Sequence, residues 1–334
     1  MRIQFVGDLM CHNSQLISAF DSKNQSYNFD RSFQWVKSKI QNSDRSFGNL
    51  ETTIPISPRD YSGYPKFGSP PEFVQTLSRT GFDVLSTANN HSADKGPEAI
   101  DHTIDTVSKN GLVPIGTYKN LDDYETRRYY LFSENGIKFG ILNYTYSTNG
   151  IKVTGGRIVR LLDREMISED VRYLKLLNVH FVILWFHYGT EYYVEPDKSQ
   201  LEWVNHGFSA GADLIIGGHP HVVQKFEKRN VIGEDGKNKE QYVAFSLGNF
   251  LSAQNMSFTD GGTILNLDLS VDSRGNKKVA RFEFEPVWVL SRGYQVIPIN
   301  EYKRGELGIV LSKMEEKRMN QYLDAFHKII PLQN

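Results

Sequence analysis

An unbroken apolar run, Leu214-Ile215-Ile216, is closed by Gly217-Gly218 and followed at once by His219-Pro220-His221-Val222-Val223-Gln224. A run bounded in this way suits a strand covered on both faces. The glycine pair permits a turn where side chains would block close approach. In an extended segment residues i and i+2 share a face. The two imidazoles are therefore expected side by side at the end of a central strand, a ligand arrangement for a divalent ion. Two ordinary loop histidines would read the same in isolation, so the rest of the chain has to supply partners.

The same grammar recurs along the chain. Residues 3–6 read as a short strand closed by Gly7-Asp8, where the carboxylate is either chemical or a plain turn and cap residue. Residues 46–50 lead into Glu51, residues 82–88 into Asn89-Asn90-His91, and residues 179–186 into His187. Helical spacing lies between them, over 29–40, 73–80, 97–110, 164–177 and 196–210. Strand, polar loop and helix in alternation predict parallel strands with functional loops at their C-terminal ends. Pro55, Pro58 and Pro65 mark an irregular excursion over 53–71, long enough to be functional. Asn135-Gly136 between two apolar runs predicts a hairpin. The polar and aromatic stretch 143–156, with Tyr144, Tyr146 and Asn149, reads as a loop over a site. Residues 263–269 and 280–286 alternate with period two around a turn at 273–276, as an antiparallel pair with one wet face does. A helix is expected over 312–329.

Composition narrows the function classes. A chain of 334 residues with net charge −1 offers no electrostatic footprint for nucleic acid. No apolar run has the length of a transmembrane segment. The N-terminus opens directly in a strand, without a charged and apolar leader. That fits a cytoplasmic chain, and equally an extracytoplasmic one whose leader was trimmed. The single cysteine, Cys11, excludes an internal disulfide and is assigned no catalytic role.

A parallel sheet brings strand ends to one edge, and Asp8, Glu51, Asn90, His91, His187, His219 and His221 all stand there. Carboxylates, an amide and imidazoles form a mixed oxygen and nitrogen set, suited to two divalent ions such as Mn²⁺, Fe²⁺ or Zn²⁺. The scarcity of cysteine argues against a structural zinc. Six segments now stand in order over residues 1–255. They are Gly7-Asp8, Gly48-Asn49-Leu50-Glu51-Thr52, Ala88-Asn89-Asn90-His91-Ser92-Ala93-Asp94-Lys95-Gly96, His187-Tyr188-Gly189-Thr190-Glu191-Tyr192, Gly218-His219-Pro220-His221-Val222-Val223-Gln224 and Ser246-Leu247-Gly248-Asn249-Phe250. This series resembles the motifs of the CapA family, the capsule-synthesis and poly-γ-glutamate biosynthesis group of the calcineurin-like metallophosphoesterases.

The resemblance implies an α/β fold, a four-layer α/β/β/α sandwich with two mixed sheets. Residues 1–334 would form a single domain, with a motif-bearing core over 1–255 and the strands and helix of 256–334 completing the second sheet. Asp8 and His221 would hold the first of two divalent metal ions, Glu51 would bridge, and Asn90, His187 and His219 would hold the second. His91 would be the general acid. Asp94 would either orient it or cap the following helix. Asn49, Tyr146, Asn149, Tyr188, Glu191 and Asn249 are expected around the substrate. Glu191 would otherwise hydrogen-bond a metal-bound histidine or face solvent. The chain departs from the superfamily at Met10, where a metal-binding histidine is usual and a thioether is a poor ligand for hard ions; His12 would have to bend back to replace it. Glu51 stands for the usual aspartate, and Tyr188 for the family's tryptophan.

Two functions from different classes follow. One is a metal-dependent hydrolase acting on a phosphoester or related bond. The other is an accessory component of capsule synthesis that binds a polyanionic polymer or a synthase partner. A metal-free sugar- or peptide-binding sandwich is a third reading, which the paired histidines disfavour.

Overall fold

Strand parity explains the layering. In the computed structural model, which describes residues 1–232 and 238–331, the strand at Phe181–His187 is apolar at every position before its last. Phe181, Ile183 and Trp185 point into one apolar cluster, while Val182, Leu184 and Phe186 point into another. Side chains alternate faces along a strand, so a strand with no polar face must be covered on both sides.

Taken along the chain, β1 (Arg2–Leu9), β2 (Arg45–Leu50), β3 (Val84–Ser86) and β4 (Val113–Ile115) are parallel neighbours. β5 (Tyr130–Glu134) and β6 (Ile137–Thr145) form the expected hairpin, with Asn135 and Gly136 both at positive φ as its turn requires. β7 (Phe181–His187) and β8 (Leu214–Gly218) continue from β6 in parallel. β9 (Phe226–Ile232), which the sequence did not announce, pairs antiparallel with β10 (Asn238–Ala244), itself parallel to β8. β11 (Asn249–Leu251) returns to pair with β1, and β12 (Gly261–Val271), β13 (Lys277–Leu290) and β14 (Gln295–Pro298) follow in antiparallel succession.

Two mixed sheets result, one ordered β14-β13-β12-β1-β2-β3-β4 and the other β9-β10-β8-β7-β6-β5. The C-terminal strands were expected to complete the second sheet. Instead they extend the first, because β12 runs antiparallel along β1 from Val6 to Arg2.

The five longer helices are α1 (Pro71–Thr80), α2 (Pro97–Lys109), α3 (Arg164–Leu176), α4 (Lys198–Ala210) and α5 (Lys313–Ile329). The helical spacing over 29–40 is realised as two single turns, Asp30–Phe33 and Lys37–Ile40. Phe33, Phe73 and Leu77 cover the outer face of the first sheet, and Val171, Leu174, Val204 and Phe208 cover that of the second. Phe5, Phe47, Ile183 and Ile216 meet between the sheets. α5 packs Met319, Tyr322 and Phe326 on Trp288 and Ile297. This is the α/β/β/α sandwich.

Candidate metal centre

The parity that builds the core also aims the polar residues. His187 continues the inward series 181, 183, 185 and so faces the first sheet, where Asn49 continues inward from Phe47. Asp8 reaches the same face by a different device. Phe5 pairs with Phe47 but Asp8 pairs with Asn49, so β1 carries one extra residue there. This bulge flips the parity of β1 and turns Asp8 inward, a common use of bulges beside functional sites. Gly7 makes room for it, since a Cβ at that position would stand 1.9 Å from the Gly248 carbonyl oxygen.

His219 and His221 follow β8, but the segment is not extended. Both histidines have positive φ, 98° and 60°, in a tight loop. Their rings converge, with centroids 5.9 Å apart, by this strained turn and not by strand alternation.

Asp8, Glu51, Asn90, His91, His187, His219 and His221 come together from both sheets, and each is at most 4% exposed. Ligand atoms of Asp8, Glu51 and His221 lie within 4.8 Å of one another, and so do those of Glu51, His187 and His219. Glu51 belongs to both triads. His221 Nδ1 is 3.1 Å from Asp8 Oδ2, and His187 Nε2 is 3.4 Å from Glu51 Oε1. Asn90 Oδ1 is 2.7 Å from His187 Nε2.

Two buried atoms here have no hydrogen-bond partner, Glu51 Oε1 and His219 Nδ1. A buried polar atom left unpaired costs on the order of 1–3 kcal/mol. An unpaired carboxylate oxygen and an unpaired imidazole nitrogen at one spot are what a divalent ion would satisfy. The oxygen and nitrogen donor set fits such an ion.

The electrostatics agree. Burial pushes the Asp8 carboxyl up, but the bond and charge of His221, His187 and Asn49 outweigh it and leave it below its ordinary value. Burial, with the Asp8 charge beside it, holds Glu51 well above the usual carboxylate range. Burial keeps His187 neutral, down to about 4, and drives His219 lower than an ordinary imidazole. Burial also disfavours the charged form of His221, but Glu51 and Asp8 override it and raise the ring to about 9.

His91 stands beside the triads. Its Nδ1 is 2.7 Å from Asp94 Oδ2, which also accepts the Phe67 N–H at 2.7 Å, and its ring meets the edge of Phe67 at 4.7 Å. Asp94 therefore orients His91; the cap position of α2 is Gly96.

The residues expected around the substrate divide. Tyr146, 42% exposed, covers His219 at 4.6 Å, and Asn149 accepts a bond from Asn90 at 3.4 Å. Glu191 Oε1 is 4.0 Å from His221 Nε2. Asn49 and Asn249 are buried behind the triads and do not face a cleft. Asn49 Nδ2 donates to Asp8 Oδ1 at 2.8 Å and lies 3.2 Å from His187 Nδ1, and Asn249 Oδ1 is 3.1 Å from His221 Nδ1. They hold the Asp8, His187 and His221 side chains in place.

Tyr188 is not at the site at all. It shares the parity of Phe186 and packs under α4 near Val204 and Phe208. Met10 is buried, with Ser252 Oγ 3.7 Å from its sulfur, and His12 also lies 3.2 Å from that hydroxyl, outside both triads. Phe67 and Tyr192 were not singled out from sequence. Both lie inside flagged segments, and Tyr192 places its ring 6.0 Å from His221.

Comparison with known proteins gives a consistent picture. The profile described as bacterial capsule synthesis protein PGA_cap matches residues 2–254. The chain is 28% identical over 294 residues to the PGA biosynthesis protein CapA of Bacillus subtilis (strain 168), covering 85% of this chain and 70% of that protein. It is 26% identical over 282 residues to the capsule biosynthesis protein CapA of Bacillus anthracis, covering 80% and 64%. Among solved structures it is similar to the NAD nucleotidase NadN of Haemophilus influenzae, with TM-score 0.54 and 12% identity, over 97% of this chain and 62% of that one. A putative 5'-nucleotidase from Staphylococcus aureus gives TM-score 0.53 and 14% identity, over 97% and 58%. The chain thus spans less than two thirds of the second curated relative and of both solved chains. At such identities the solved structures show a shared fold and no more. With the profile covering most of its length, this chain belongs to the CapA family of bacterial capsule synthesis proteins.

Proposed function

We propose that this chain is a metal-dependent hydrolase, acting on a phosphoester or related polar bond in the synthesis of a capsule polymer such as poly-γ-glutamate. One observation carries the reading: Glu51, with an unpaired buried oxygen, belongs to two ligand triads at once. Asp8 and His221 would hold one divalent ion, Asn90, His187 and His219 the other, and Glu51 both. Such a pair, when bound, acidifies water and neutralises charge on the group under attack.

The other steps belong to side chains. Asp94 occupies Nδ1 of His91 and leaves Nε2 to hand a proton to the departing oxygen. Asn49 and Asn249 hold Asp8, His187 and His221 in their orientations. Tyr146 and Asn149 form the wall against which a substrate lies.

The test is metal analysis of protein purified without chelator, together with turnover of bis(p-nitrophenyl) phosphate. Metal-dependent turnover that disappears in a folded His219→Ala variant supports the hydrolase. The accessory reading is favoured by Met10, whose buried thioether replaces a nitrogen donor beside Asp8. Metal-loaded protein that is inert on phosphodiesters, phosphomonoesters and γ-glutamyl peptides would establish that reading instead.

A further inference from the structure

We infer that Glu191 is itself a cation ligand, entering from the open side of the cluster to join His219 and His221. The inference rests on the metal-dependent reading above and assigns Glu191 a role other than substrate contact. Its carboxylate and the two imidazoles form a third group whose ligand atoms all lie within 4.8 Å of one another.

Glu191 Oε1 stands 4.0 Å from His221 Nε2. That is too far for a hydrogen bond, so the carboxylate does not orient the ring. It is the span of two ligands on one ion, since bonds of about 2.1 Å keep two donor atoms within ~4.2 Å.

The backbone around Glu191 is tied to the histidine loop on both sides. The Tyr188 N–H donates to the Gly218 carbonyl at 3.1 Å, and the Tyr192 N–H donates to the Pro220 carbonyl at 2.8 Å. Gly189, at φ +102°, makes the turn between them, and a Cβ there would strike Gln200 at 2.5 Å. Thr190 Oγ1 donates to Asp197 Oδ2 at 2.7 Å, at the cap of α4. A residue that merely faced solvent would need no such harness. The side chain remains 40% exposed.

The experiment is calorimetric titration of Mn²⁺ and Zn²⁺ into metal-stripped protein of residues 1–334. Wild type is compared with Glu191→Gln, Glu191→Asp and Glu195→Gln, the last an equal charge change at an exposed site of the same loop. Glu191→Gln is expected to lose one bound ion or to bind at least ~10-fold more weakly, with unchanged thermal midpoint in the metal-free state. Glu191→Asp should recover part of the affinity, and Glu195→Gln should match wild type. Wild-type stoichiometry and affinity in Glu191→Gln overturns the inference while leaving the proposed function standing. Equal weakening in Glu195→Gln overturns it too, since net charge alone would then account for the loss. Wild-type protein that binds neither ion overturns both.

Discussion

At the scale of single residues the centre is a problem of protons. Asp94 fixes one nitrogen of His91, and in the proposed hydrolase the other would carry the proton. His91→Ala is expected to lower kcat on an aryl phosphodiester by ~10²–10⁴-fold. The loss should shrink as the leaving group becomes a better one, because a good leaving group needs no proton. An equal loss on all leaving groups would remove His91 from that role. Metal affinity should depend on pH with a definite sign. In metal-free protein His221 is raised to about 9, so near neutrality it must shed a proton before it can bind an ion. Affinity should therefore climb as pH rises toward 9, with proton release measurable by calorimetry in buffers of different ionisation enthalpy. His187 acts in the opposite direction on stability. Its depressed value, about 4, means that the unfolded chain binds the proton first. The metal-free fold should lose stability as pH falls from about 6.5 toward 4, by on the order of 3 kcal/mol from this group. Metal-free unfolding midpoints that are flat over that window would show that His187 takes up no proton on unfolding.

At the scale of elements the centre depends on one irregularity. The extra residue in β1 between Phe5 and Asp8 turns the carboxylate inward, and Gly7 lets the backbone of Gly248 come close enough for β11 to pair there. Gly7→Ala puts a Cβ into a backbone oxygen, so relief requires the strands to part. Overpacking of this kind costs ~1–3 kcal/mol. Asp8 and Asn249 shift with the strands, so divalent affinity should fall along with the unfolding midpoint. A stable Gly7→Ala protein with full affinity would show that the close approach is incidental. This element also marks the boundary of what was readable beforehand. Strand ends, helices and the Asn135-Gly136 hairpin follow from local chemistry, and so did the candidate ligands. The bulge did not, because a slip of one residue leaves no mark in composition. His219 and His221 were placed together for the wrong reason, extended alternation, where two positive-φ residues do the work. Tyr188 shows the converse. Its parity with Phe186 was legible and sends it under α4, and attention to motif position alone put it in the cleft.

At the scale of the whole molecule, the candidate ligands divide between the two sheets. Asp8 and Glu51 belong to the first, on β1 and just after β2, while His187, His219 and His221 belong to the ends of β7 and β8 in the second. Much of the space between the sheets is filled by apolar contacts such as Phe5 against Trp185, with centroids 5.4 Å apart. At this rim they meet through charged and polar groups, two of them unpaired. An ion bound there, as proposed, would act as a clamp between sheets and would bind the folded chain alone, because the unfolded chain does not assemble donors so distant in sequence. Free ion at 100 times its dissociation constant should therefore stabilise the fold by about 2.7 kcal/mol and raise the thermal midpoint by a few degrees. Excess EDTA should reverse the shift. In His187→Ala, which removes a donor from the second sheet, the gain on adding Mn²⁺ or Zn²⁺ should be largely lost, although the apolar contacts between the sheets are untouched. A midpoint indifferent to metal and chelator in the wild-type protein would mean that the two sheets do not share an ion, and that the unpaired oxygen of Glu51 and nitrogen of His219 are satisfied in some other way.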